Sequence, residues 1–255
     1  MQVFAKTDIG KARDNNQDFY YISNSGDVPE VYILADGMGG YNGGEIASKM
    51  AAESASNYIK SNFQKMLETI NERKQKEDNK NIEKDEILKL VKSGIQYANM
   101  VVYEEAKKNP ELEGMGTTLD VCFIYNSKIY IGHVGDSRIY LIKKDIARKI
   151  TKDHSYVQQL VEDKKITREE AEHHPKKNML LKALGCTSYV EPDIRARNLE
   201  KDDILLMCSD GLTNMVEESK IYEVVRENKE KAPEILVNLA NNAGGYDNIT
   251  VITII

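Results

Sequence analysis

Cysteine, histidine, basic excess and long apolar runs are all scarce in this 255-residue sequence, and each scarcity removes a class of function. Three cysteines (Cys122, Cys186 and Cys208) are too few and too scattered for a disulfide framework or a Cys-x-x-Cys clamp. They fit a thiol-reduced, cytoplasmic chain. Thirty-five Lys and Arg stand against 41 Asp and Glu, and the net charge of −6 argues against a nucleic-acid partner. No apolar run approaches the ~20 residues that span a bilayer, so no membrane segment is expected. The opening MQVFAKTDIGKARDNN turns polar at once and lacks the apolar core of a secretory signal.

What is present is a patterned chain of the length of one large domain. Runs rich in Ile, Val and Tyr predict strands over 19–23, 31–35, 118–125, 128–134, 138–142, 203–208 and 248–254. Asn126-Ser127 suits a tight hairpin between 118–125 and 128–134. Gly135 to Ser137 reads as a second turn, extending the hairpin into an antiparallel meander that includes 138–142. Apolar residues at helical spacing predict helices over 43–60, 86–107, 216–227 and 232–243. The segment 71–86, NERKQKEDNKNIEKDE, is nearly all charged with mixed sign and reads as a solvated connection or frayed helix end rather than a binding segment. Short helical signals over 152–183 are broken at Pro175. Strands in runs and helices in blocks indicate an α+β fold, with helices layered on antiparallel sheets.

Aspartates recur where strands end. Asp36 follows VYILA and precedes Gly37-Met38-Gly39-Gly40; Asp136 follows KIYIGHVG; Asp210 follows DILLMCS; Asp247 stands just before NITVITI; Asp18 lies near another strand. Taken singly, Asp-Gly after a strand is a turn. Together, these acids would converge on one sheet edge if their strands are neighbours, and buried charge there must be paired or hold a metal. Carboxylates without a Cys/His cluster select a hard divalent cation, Mg²⁺ or Mn²⁺. Two such ions ~3.5–4 Å apart, bridged by carboxylate and hydroxide, form a device for attack on phosphorus. Gly39-x4-Gly44 has P-loop spacing, but Glu45 stands where Lys is required. Arg13 is the candidate for gripping an anionic substrate.

Rival chemistries fit poorly. A cysteine nucleophile with Arg six residues on is excluded, because those places hold Lys128, Pro192 and Asn214. Ser137 and Ser209 lack a Gly-x-Ser-x-Gly elbow. His133 reads as packing within its strand, His154 as making a local structural hydrogen bond, and His173-His174 as part of a solvated helix.

Eight motifs occur in order: Arg13-x-x-Asn16-Gln17-Asp18, Asp36-Gly37-Met38-Gly39-Gly40, Gly116-Thr117-Thr118, Gly135-Asp136-Ser137-Arg138, Asp153-His154-Ser155, Leu184-Gly185, Ser209-Asp210-Gly211-Leu212 and Asp247-Asn248-Ile249-Thr250. The series resembles the metal-dependent serine/threonine protein phosphatases of the protein phosphatase 2C (PPM) family, in compact bacterial form, over nearly the whole chain. The resemblance implies a single catalytic domain over 1–255, built as a sandwich of two antiparallel sheets flanked by helix pairs. It implies two Mn²⁺ or Mg²⁺ ions, bridged by Asp36, with the Gly37 carbonyl on one and Asp210 and Asp247 on the other. It further implies Asp18 orienting water, Arg13 binding the substrate phosphate, and Asp136 on a third, weaker metal shared with Asp210. Segment 152–183 would be a flap beside the cleft.

The implied activity is hydrolysis of phosphoserine and phosphothreonine in proteins, opposing a Ser/Thr protein kinase, by a cytoplasmic monomer. The alternatives weighed are an inactive phosphoprotein-binding scaffold and a dedicated anti-sigma-factor-antagonist phosphatase. Two departures matter. Animal members carry His where Met38 stands, so no general acid is assigned; they carry Glu where Gln17 stands, so no direct role is given to Gln17.

Overall fold

A computed structural model describes residues 1–40, 43–144 and 146–255. The chain runs β1 (Val3–Asp8), β2 (Asp18–Ile22), β3 (Glu30–Met38), α1 (Gly43–Lys76), α2 (Ile82–Lys108), β4 (Gly116–Thr117), β5 (Leu119–Tyr125), β6 (Lys128–Val134), β7 (Arg138–Ile142) and β8 (Ala147–Lys149). It continues through α3 (Tyr156–Glu162), α4 (Arg168–Glu172), β9 (Asp193–Asn198), β10 (Ile204–Cys208), α5 (Asp210–Thr213), α6 (Glu218–Asn228), α7 (Ala232–Asn242) and β11 (Ile249–Ile254). One antiparallel sheet has the order β1-β11-β10-β7-β8; the other is β2-β3-β5-β6-β9, with β4 beside the end of β3. Helices α1 and α2 cover the outer face of the second sheet, and α6 and α7 cover the outer face of the first. This is the layered α+β sandwich expected from the sequence. Among the described residues, no helix is long and apolar enough to cross a membrane.

The central strands are buried on both faces, so they read as continuous apolar runs. Period-2 alternation then divides each strand between two cores. Val31, Ile33 and Ala35 of β3 pack under the helices, whereas Tyr32 and Leu34 face the opposite sheet. In β10, Leu206 and Cys208 meet the helices while Leu205 and Met207 meet the sheet. Gly132 is needed beneath α2: a Cβ there would lie 2.3 Å from Ile95 Cδ1.

One expectation is corrected and one is made more definite. The turn at Asn126-Ser127 is a hairpin, with φ of 50° and 55° in the left-handed pair that suits sheet twist. The meander stops there, however. After β6 the chain crosses to the other sheet, where β7 pairs with β10 and β8. Gly135-Asp136-Ser137 is therefore a bridge between layers. The charged segment is two helix ends with a short connection between them: α1 continues to Lys76 and α2 begins at Ile82. Ile70 and Ile82 are buried at that end, and the charges line the solvent side, where Arg73 pairs with Glu77 at 2.9 Å and Glu86 at 2.6 Å. Strands β1, β8 and β9 are absent from the sequence reading. All three are sheet edges, partly polar and half-buried, as edge strands are.

Candidate active site

The alternation that builds the inter-sheet core also aims the acids. Asp36 continues the face of Tyr32 and Leu34, and Asp18 continues that of Tyr20 and Ile22; the two are directly paired across β2 and β3. Where the sandwich opens, the apolar stripe gives way to carboxylates. Asp210 opens α5 immediately beyond β10, and Asp247 lies just before β11, the neighbour of β10. Asp136 sits on the bridge from β6 to β7. All five aspartates thus act on one electrostatic neighbourhood: Asp36 is influenced by Asp18, Asp210, Asp136 and Asp247 together.

The cost of that arrangement is visible in their protonation. Burial, then the charges of Asp18, Asp210, Asp136 and Asp247, hold the Asp36 carboxyl well above its ordinary range. Burial raises Asp18 to about 7, against hydrogen bonds from Thr250 and Ser209 that favour the anion. Burial and Asp210 raise Asp136 to about 8, and burial and Asp247 raise Asp210 to about 6. Arg13 donates from Nη2 to Asp247 Oδ2 at 2.7 Å, a bond that raises its own pKa further. Arg13 on the rim and Arg138, whose charge favours ionised Asp136 and Asp210, do not neutralise five acids.

Backbone and neutral side chains fix these groups. Asp36 N donates to Thr118 Oγ1 at 2.9 Å, while Thr118 N and Thr117 Oγ1 donate to Asp36 O at 2.9 and 3.0 Å. Thr118 and Ser137 hydroxyls meet at 2.9 Å, tying the Asp36 strand to the Asp136 bridge. Ser209 Oγ donates to Asp18 Oδ2 at 2.7 Å. Gly37 is tightly enclosed: a Cβ would lie 2.1 Å from the Gly44 carbonyl and 2.6 Å from that of Gln17. Gln17 packs against this pair of glycines, with its carbonyl accepting from Gly37 N at 3.0 Å. Tyr41 and Asn42 of the glycine-rich run lie outside the described residues.

Thr118, Ser209 and Asn248 were quoted within motifs but given no task by sequence reasoning. Their roles are hydrogen bonds to distant backbone and side chains, for which the sequence carries no signal beyond their place beside an aspartate. The histidines lie apart from the acids they might have served. His133 is buried with Nδ1 2.5 Å from Asp120 Oδ1 and Nε2 2.9 Å from the Lys152 carbonyl. His154 Nδ1 accepts from Gly135 N at 3.1 Å, and burial, the His133 charge and Lys182 depress it to about 4. His173 ends α4 as its C-cap. Segment 152–183 leaves and returns at one place, since Ser155 bridges to Leu180 and Leu184 to Thr117.

Among the described residues, no three acidic, histidine or cysteine side chains already close around an ion. Their oxygens are engaged pairwise: Asp210 with Asn214 at 3.0 Å and with Asp36, Asp247 with Arg13. The donor set nonetheless fits a hard divalent cation, being wholly oxygen. Asp18 Oδ1 adds a buried acceptor with no hydrogen-bond donor, an unusual state for a native polar atom.

The family model for protein phosphatase 2C matches residues 34–249, which spans β3 to the start of β11 and includes Asp36, Asp136, Asp210 and Asp247. The chain belongs to the protein phosphatase 2C family. It is a metal-dependent serine/threonine protein phosphatase. It is similar to "Serine/threonine phosphatase stp" of Listeria innocua, 37% identical over all of this chain and 95% of the relative. "Protein phosphatase PhpP" of Streptococcus pneumoniae is 38% identical over 98% of this chain and 96% of its own length. A solved structure of the catalytic domain of the phosphatase PstP, in complex with two manganese ions, superposes with a TM-score of 0.80 at 30% identity, covering 99% of this chain and 96% of that one. In this family member, the half-buried Met38 ends β3 two residues beyond Asp36.

Proposed function

We propose that Asp36, Asp210 and Asp247, with the Gly37 carbonyl, hold two Mn²⁺ or Mg²⁺ ions, and that Asp136 shares a third with Asp210. The observation that carries this reading is the gathering of five aspartates where the two sheets open, with Asp18 paired to Asp36 across β2 and β3; their mutual repulsion calls for divalent counter-charge. Such ions, when bound, stabilise charge on a phosphoryl group and lower the pKa of water toward 7.

The remaining tasks fall to the chain itself. Arg13, on an exposed rim, exchanges its bond to Asp247 for the substrate phosphate, which a guanidinium can grip through two parallel hydrogen bonds. Asp18 holds the attacking water through Oδ1, its acceptor without a donor, while Ser209 fixes the other oxygen. Thr118 and Ser137 keep Asp36 and Asp136 in register. Met38 transfers no proton, so the leaving-group oxygen takes its proton from water or another side chain.

The substrates are phosphoserine and phosphothreonine proteins, a Ser/Thr protein kinase among them, met by a cytoplasmic monomer with segment 152–183 as a flap on its one catalytic domain. A net charge of −6 gives no long-range attraction for acidic phosphopeptides, so recognition is local to the cleft. Aryl phosphate hydrolysis that depends on Mn²⁺ and stops with chelator tests the metal. Asp36→Asn should abolish turnover at saturating Mn²⁺; retained turnover would remove Asp36 from the reaction. Arg13→Ala should raise KM more than it lowers kcat.

A further inference from the structure

The loop that carries Arg13 is tied at both ends to one buried asparagine. Asn248 is 5% exposed, follows Asp247 and directs its whole side chain at the connection between β1 and β2. Its Oδ1 accepts from Gln17 N at 2.9 Å, and its Nδ2 donates to the carbonyls of Ile9 and Asn15, both at 2.9 Å. These three bonds tie both ends of the loop to a residue more than 230 positions away in sequence. Between them, Lys11 N and Ala12 N donate to the Gly245 carbonyl at 2.7 and 3.2 Å. Gly10, at φ +81°, lets the loop lie against residue 247: a Cβ there would fall 2.3 Å from the Asp247 carbonyl. Arg13 stands beyond these anchors, its side chain 53% exposed and 2.7 Å from Asp247.

We infer that Asn248 is a positioning residue for substrate binding: it sets the place of Arg13 relative to Asp247, so that the guanidinium can pass from that carboxylate to a phosphate monoester. The inference rests on the reading of Arg13 as the phosphate-binding group. Physically, Arg13 has a flexible side chain and an exposed position, so its useful charge depends on where its backbone is held. The Asn248 amide supplies two donors and one acceptor to backbone groups that a shorter or apolar side chain would leave unsatisfied. Orientation errors of about 1 Å at a binding group are enough to cost about 10²-fold in rate.

The test is a double-substitution cycle in the Mn²⁺-loaded protein, with a phosphothreonine peptide as substrate. Asn248→Ala should raise KM about tenfold and leave kcat within about twofold. In an Arg13→Ala background it should raise KM by less than twofold, because the group it positions is gone. Hydrogen exchange at the Gln17 amide should accelerate in Asn248→Ala and not in Arg13→Ala. The Mn²⁺ concentration for half-maximal activity should stay the same, which separates an effect on the loop from one on Asp247. If the alanine variant fails to fold, Asn248→Asp serves in the same cycle: it keeps the acceptor for Gln17 and sets an oxygen against the Ile9 and Asn15 carbonyls. Multiplying effects of the two substitutions, a fall in kcat with KM unmoved, or failure of both variants to fold would each overturn the inference. An Arg13→Ala protein with unchanged KM would instead overturn the assignment of Arg13 itself.

Discussion

Asp18→Asn should stabilise the metal-free protein at pH 8 and leave it nearly level with the parent at pH 4. Asp18 is 8% exposed, and its carboxyl is raised from the ordinary 3.8 to about 7 by burial. The folded state therefore binds this proton more tightly than the unfolded chain does. Its stability contribution is least unfavourable below about pH 4. It worsens as pH rises, because the unfolded chain ionises first, and reaches its full penalty above about pH 7. About three powers of ten at 1.36 kcal/mol each give an upper bound of ~4 kcal/mol. That is a large share of the ~5–15 kcal/mol by which domains are stable. Asparagine carries no charge and keeps an oxygen for the Ser209 hydroxyl, so the variant escapes the penalty. Urea unfolding in excess chelator at pH 4, 6 and 8 measures the difference directly. Added Mn²⁺ should narrow the difference at pH 8, since its positive charge offsets the cost of ionising Asp18 in the parent. Parallel pH profiles for the two metal-free proteins would refute the idea that uncompensated charge is stored at this site.

Three further outcomes follow from packing. His133→Ala should cost about 3–5 kcal/mol in chemical unfolding, because it leaves the fully buried Asp120 without its partner; a loss under ~1 kcal/mol would show that Asp120 is protonated and content alone. Gly37→Ala should lower stability by ~3 kcal/mol and remove activity together, since its methyl would strike two backbone carbonyls that cannot turn aside; a soluble, active variant would contradict the close approach. Arg73→Ala, which deletes both ion pairs at the exposed tip of α1 and α2, should cost less than ~1 kcal/mol and leave the ranking of phosphopeptide substrates unchanged. A changed ranking would give the charged tip a role in recognition.

The central strands, the four main helices and the acids were legible because each leaves a local mark. Buried strands such as β5 and β11 are unbroken apolar runs, and long helices repeat their apolar residues at fixed spacing. The edge strands β1, β8 and β9 leave no such mark. β9 reads DIRARN because one side of its backbone lacks a partner strand, and it joins the sheet only through its register with β6. The charged stretch 71–86 left connection and helix end undivided for a related reason: charge reports exposure to water, and a helix surface is as exposed as a loop. Gly135-Asp136-Ser137 could be read as a turn, but not as a turn that leaves its sheet.

The sequence alone determined the chemistry available to this protein: an oxygen-rich set of aspartates in a fixed order, with no thiol or imidazole cluster to compete. It could do so because side-chain type and the two- and 3.6-residue periods are properties of short segments. The tertiary structure decided which acids stand together and which group holds each of them. Asp18 and Asp36 face one another only once β2 pairs with β3, and Arg13 meets Asp247 only when the first and last strands join. The second of these contacts joins residues 234 positions apart, and the packing that creates both is a property of the whole chain.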